Sequence, residues 1–171
     1  MADTTEIRVL VACPRHAGPL KTMADALAEG VIAAGGEVDV ADTASVRPAS
    51  LLDYHGYAFG SSTHYGMPSS SMAKLFDDSV MVHGRLAGRV ATVFATERHV
   101  GGGGESTCKS LLSSCLVHGM MVFGSAQGGH FGPVAAGEPD EACRRQCRAQ
   151  GERLATMARV LAYARRGEAF A

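Results

Sequence analysis

The chain has 171 residues, 46% hydrophobic and 19% charged, enough apolar material for one sizeable core and too little charge for a disordered chain. Sixteen basic residues against seventeen acidic ones leave a formal charge of -1, which excludes a strong field for nucleic acid or an anionic membrane. Five cysteines, an odd number, fit a reducing compartment better than a disulfide framework. The N-terminus "MADTTEIRVLVAC" lacks a basic region followed by a long apolar run, and no stretch approaches roughly 20 apolar residues, so a cytoplasmic protein without membrane insertion is expected.

Residues 1–6 are expected to be extended or disordered. "IRVLVA" (7–12) is a short, nearly continuous apolar run that predicts a strand. "LKTMADALAEGVIAA" (20–34) then sets Leu20, Met23, Leu27, Val31 and Ala34 on one helical stripe, stopped by the glycines at 35–36. "EVDVAD" (37–42) predicts a weak second strand, and "RPASLLDY" (47–54) a short crossover with Pro48 at its head. A third strand is expected over 57–62, a helix over 69–80, a fourth strand over 89–96 and a helix over 105–119 closed by Gly119. "MMVFGS" (120–125) predicts a fifth strand, and a long terminal helix follows over 139–166. Strands apolar on both faces belong in a parallel sheet covered by helices, so residues 1–171 are expected to form a single doubly wound α/β domain.

Ligands of such folds bind outside the carboxyl ends of the strands. The segments placed there, 13–20, 61–68, 96–105 and 125–134, are rich in glycine, proline, hydroxyl and histidine residues. Glycine at such an edge lets backbone N–H groups approach a flat ligand closely, although each loop taken alone also reads as an ordinary turn.

These motifs resemble those of the flavodoxin-like quinone oxidoreductases of the WrbA type. "RVLVACPRHAGPLKTMADALAEG" (8–30) is similar to the family's first strand, phosphate loop and first helix, and "FGSSTHYGMPSSSMAKLFD" (59–77) to the loop that edges the flavin ring. "GRVATVFATERHVGGGGES" (88–106) looks like its fourth strand and glycine-rich loop, and "HGMMV" (118–122) like its "HHGM-V". The resemblance implies a five-stranded parallel sheet in the order 2-1-3-4-5, helices on both faces and FMN as cofactor. It further implies NAD(P)H as transient electron donor, a quinone-like small-molecule acceptor and a homodimer or tetramer. No side chain is expected to be catalytic, because the flavin carries the chemistry.

By the same resemblance, Gly101, Gly102, Gly103 and Gly104 pass beside the pyrimidine edge of the flavin, where their N–H groups oppose developing negative charge. Thr96, Glu97, Arg98, His99 and Val100 reach the same edge. Ser62, Thr63, His64, Tyr65, Gly66 and Met67 flank the ring, with Tyr65 either stacking on it or packing on the surface. His118 matches a histidine near the flavin, yet its place before Gly119 equally suits a cap at the negative end of a helix.

The first loop, "CPRHAGPLKT", departs from the family. Its prolines, Pro14 and Pro19, have no N–H to offer a phosphate. Arg15 and His16 supply charge in place of the missing hydroxyls, with the backbone of Ala17, Gly18 and Leu20 completing the loop. Connections shorter than the family's make a tetramer less expected than a dimer. Cys143 and Cys147, at i and i+4, could form half a zinc site or a redox pair but read better as small buried residues; Cys13 is the candidate reactive thiol. An electron-transfer flavodoxin and a flavodoxin-like module without cofactor are the alternative functions, and the near-zero net charge disfavours the first of these.

Overall fold

The computed structural model describes residues 6–14 and 18–165. Its elements run β1 (Arg8–Cys13), α1 (Pro19–Ala33), β2 (Glu37–Asp42), β3 (Gly56–Ser62), α2 (Ser70–Asp78), β4 (Val90–Glu97), α3 (Gly104–Val117), β5 (Met121–Val122), β6 (Val134–Ala136) and α4 (Glu141–Arg165). Short 3-10 turns fill 43–45 and 48–53, and a third continues α2 through 79–82. The strands pair in parallel in the order β2-β1-β3-β4-β5, as the family resemblance implies.

Alternation along β1 sorts the core into two layers. Val9, Val11 and Cys13 face α1 and α4 with Met23, Leu27, Val31, Phe94 and Leu154, while Leu10 and Ala12 face α2 and α3 with Tyr57, Phe59, Met72 and Leu111. Both faces are therefore dry, and each large side chain buried this way contributes about 1.5–3 kcal/mol. Helices α1 and α4 cross in close contact because each offers a glycine: a Cβ on Gly30 would lie 1.9 Å from the Arg148 carbonyl oxygen, and one on Gly151 2.0 Å from that of Leu27.

The expected fifth strand is corrected. Only Met121 and Val122 of the 120–125 run join the sheet, beside Val90 and Ala91. The chain then leaves over 123–133 and returns as β6, whose Val134, Ala135 and Ala136 pair with Ala95, Thr96 and Glu97. The detour is rich in glycine and ends at Pro133, which has no N–H to donate to a ladder. Its carbonyl still accepts from Ala95 N–H at 3.0 Å, which fixes where pairing resumes. The strand beside the end of β4 thus comes from "VAA", downstream of the run that the sequence singles out.

Candidate functional site

β1, β3 and β4 end side by side at Cys13, Ser62 and Glu97, with Ser62 in register with Thr96. The loops after them form one edge. The loop after β3 is a two-residue hairpin: His64 N–H donates to Met67 O at 2.8 Å and Met67 N–H to His64 O at 3.0 Å. Its central residues, Tyr65 and Gly66, have φ of 52° and 77°, as a tight turn with two left-handed positions requires. Glycine adopts that conformation freely, whereas a tyrosine there costs about 1–2 kcal/mol. Among the described residues Tyr65 is the one non-glycine with positive φ, and its side chain is fully exposed (107%). Met67 (63%) and Val100 (91%) of the neighbouring loop are also exposed. An aromatic ring held in water on left-handed backbone is the kind of local strain that singles out a candidate site.

The glycine loop is tied down by an acid. Glu97, the last residue of β4, accepts from Gly101 N–H at 3.1 Å and from Gly104 N–H at 2.7 Å, while Gly102 N–H donates to His99 O at 2.9 Å. This corrects the expectation that the whole glycine run offers its N–H groups to a ligand. The N–H of Gly103 carries no hydrogen bond among the described residues. Gly103 also has φ of 99° and caps α3, and a Cβ on it would lie 2.8 Å from Gly66 Cα. The two loops therefore touch through bare backbone. Thr107 Oγ1 donates to Thr63 Oγ1 at 3.0 Å, and Thr63 N–H to Thr96 O at 2.8 Å, so α3, β4 and the hairpin are tied together. Beyond the glycine loop a groove of about 480 Å³ is floored by Val134 and Ala136.

In the first loop, Arg15, His16 and Ala17 lie outside the described residues. Gly18 (φ 84°) precedes α1 with Pro19 at the first helical position and gives the helix no side-chain cap. Leu20 is buried in the α1–α4 core, so only its backbone is at this edge.

No family model matches the chain. It is 34% identical over 157 residues to the flavodoxin of Aquifex aeolicus, a match spanning 86% of this chain and 85% of that one. It is 32% identical over 139 residues to the NAD(P)H dehydrogenase (quinone) of Sinorhizobium fredii, spanning 68% and 70% of the two chains. Its fold superposes with a TM-score of 0.73 on the WrbA-like flavodoxin of Agrobacterium tumefaciens, at 23% identity, covering 91% of this chain and 99% of that one. The chain belongs to the flavodoxin-like, WrbA-type family.

Within this flavodoxin-like chain His118 is not at the loop edge, and its grouping with the flavin residues is corrected. It caps the far end of α3, whose 14 residues put it about 20 Å along the axis from Gly104. The ring is buried against Phe76, with Nε2 2.7 Å from Ser79 Oγ. Because Ser79 Oγ donates to Phe76 O at 2.6 Å, His118 Nε2 carries the proton and Ser79 accepts it. Nδ1 is buried without a partner. Burial, with His83 nearby, lowers the His118 pKa. His118 stands at the C-cap position of α3, but its ring bonds Ser79 rather than the helix carbonyls, and burial disfavours the charge that would suit the negative helix end.

Cys13 is corrected as well: it is 2% exposed, and burial pushes its thiol up to about 12, so it is inert rather than reactive. Cys143 and Cys147 are buried core residues, and among the described residues no cluster of metal-ligating side chains forms. A hydrogen bond between the two thiols lowers Cys143 and raises Cys147. No helix among the described residues is long and apolar enough to cross a membrane.

Sequence reasoning missed that Glu97 serves the loop rather than a ligand, and that Val134 and Ala136 border the site. An acid at a strand end, four and seven residues before glycines, is a recognisable signal for the first. The second had none beyond three small apolar residues after a proline.

Proposed function

We propose that this edge binds FMN and that the protein passes electrons from NAD(P)H to a small quinone-like acceptor. The observation that carries the reading is Tyr65, an exposed ring held on left-handed backbone at the tip of a hairpin whose Gly66 backbone touches Gly103 of the glycine loop. The residues present fit a flat, partly apolar ring system with an anionic tail. When bound, FMN supplies hydride and single-electron chemistry.

The chain's own groups bind and orient. Tyr65 stacks, Met67 and Val100 exclude water, and Gly103 offers its N–H to a ring oxygen or nitrogen. Glu97 holds the loop in place, so that little is reorganised when the ring arrives. The phosphate is taken at the start of α1, where Pro19 leaves the next helical N–H groups for an anion; Arg15, four residues earlier in the sequence, is the candidate source of positive charge. The groove of about 480 Å³ beside the glycine loop is large enough for a small planar acceptor. The likeness to proteins named NAD(P)H dehydrogenase (quinone) supports this direction of electron flow.

A second reading, electron carriage for a protein partner, is favoured by the flavodoxin likeness over 86% of the chain. The net charge of -1 favours the first, since steering between redox proteins relies on strong complementary charge. Titration of FMN into the apoprotein, read by flavin fluorescence, tests both, followed by NAD(P)H oxidation with a benzoquinone. Saturable quenching with turnover supports the enzyme; quenching without turnover supports the carrier. Absence of quenching overturns both.

A further inference from the structure

We propose that a second groove, lined by the 123–133 detour and the first half of α4 rather than by the glycine loop, binds a small phosphate-bearing anion. The groove holds about 340 Å³, within the range of small-molecule sites. Its floor is fixed by Gln150, which is buried and donates to Thr92 Oγ1 in the middle of β4.

The charge around it is one-sided. Two arginines, Arg145 and Arg153, line the groove and no acidic residue does. The other described arginines of α4 are occupied. Arg144 and Arg148 share Glu141, with Arg148 also reaching Glu29, and Arg159 donates to the carbonyls of Ala34 and Gly35 while Arg165 donates to that of Ala87. Arg145 has no hydrogen bond or ion pair among the described residues, although Glu141 lies one turn before it, because that carboxylate is already taken. The Arg153 guanidinium sits 4.7 Å from the centroid of Phe123, which orients it without neutralising it. Two uncompensated guanidinium groups around one concavity concentrate anions there.

Backbone completes the set. Gly128 (φ 91°) and Gly129 (φ 55°) line the groove, and their N–H groups have no partner among the described residues. A Cβ on Gly128 would come within 3.3 Å of Gln146 Nε2, and one on Gly129 within 3.3 Å of Gln146 Oε1, so side chains here would press on the wall of the groove. Consecutive free N–H groups in turn conformations cradle anions. Two guanidinium forks, two backbone N–H groups and the Gln146 amide offer more donors than one carboxylate can accept, which favours a phosphate or diphosphate.

The test is an amide-resolved NMR titration of the full chain at constant ionic strength, with inorganic pyrophosphate in one arm and ADP in the other. Saturable shifts at Gly128, Gly129 and the Gln146 side chain are expected. Each of Arg145→Ala and Arg153→Ala should weaken binding about tenfold, the loss of a charge-assisted contact. Tighter binding of ADP identifies a nucleotide phosphate as the ligand, and equal affinity the inorganic anion. Shifts confined to Gly18–Lys21, or an unchanged dissociation constant in a double variant with a native spectrum, would overturn the proposal. If the double variant fails to fold, the wild-type shift map decides alone.

Discussion

The two ends of α3 are built from similar ingredients and do opposite things. At its start, Gly101 and Gly104 donate to an acid, Glu97, which fixes a loop that stays open to solvent. At its finish, Gly119 follows a histidine that Ser79 and Phe76 bury. Glycine and histidine look equally suited to a flavin in the sequence, but one end is open loop, where the site is proposed, and the other is core. The difference lies in the partner's geometry. Glu97 points its carboxylate along backbone that lacks side chains, whereas Ser79 brings a packed helix end with it.

Gly103→Ala gives the largest expected effect and attacks the open end. Its Cβ would meet Gly66 Cα at 2.8 Å on a residue with φ of 99°, and backbone cannot yield as a side-chain tip can. Left-handed strain and the collision together cost about 2–3 kcal/mol. The two loops separate, and FMN affinity should fall more than a hundredfold in a fluorescence titration. A variant that keeps its affinity would mean that the hairpin contact is incidental.

Tyr65→Gly should split stability from binding. Relieving a left-handed tyrosine raises stability by about 1 kcal/mol, while loss of the stacking ring weakens FMN about tenfold. Urea unfolding beside the same titration reads both. A loss on both counts would recast Tyr65 as a packing residue.

At the closed end, His118→Phe should leave FMN affinity within twofold and change the pH profile of stability. The folded-state pKa of His118 is lowered from 6.5, so the unfolded chain takes up the proton first. Stability is then full above about 6.5 and declines as pH falls below it, until the folded state protonates too. Thermal melts of wild type and variant at pH 7.5 and 5.5 should show the wild type losing more on acidification. Equal losses would place the acid sensitivity elsewhere.

Much of this was legible in the chain. β2 lies over 37–42 as read, because glycines bound it on one side and an aspartate that caps the next turn on the other. α1 follows its apolar stripe from Leu20 to Val31. β5 lies inside the run read as the fifth strand, but its two-residue extent and the existence of β6 are not legible, since strands so short exist only through pairing with β4 and show no periodicity. Tyr65 could be chosen as an aromatic at the right edge, but its positive φ could not, because the hairpin's two hydrogen bonds impose it. His118 was grouped by motif with residues that the 14-residue length of α3 carries away from it. Helix length read from the same sequence contained that warning.

The smallest effect expected is also the most direct comparison of the two ends. α3 carries Cys108 near its start and Cys115 near its finish, both buried and both pushed up to about 12 by burial. The thiolate is the reactive form, so alkylation at neutral pH waits for local opening. A ligand at the loop edge stabilises closed states in proportion to its occupancy, but only against openings that disrupt its own site. Saturating FMN should therefore slow alkylation of Cys108 severalfold and leave Cys115 nearly unchanged, measured by pulsed iodoacetamide and peptide mass spectrometry. Equal protection at both positions would mean that α3 opens only as one unit with the whole sheet. The contrast between its ends would then be one of static packing alone.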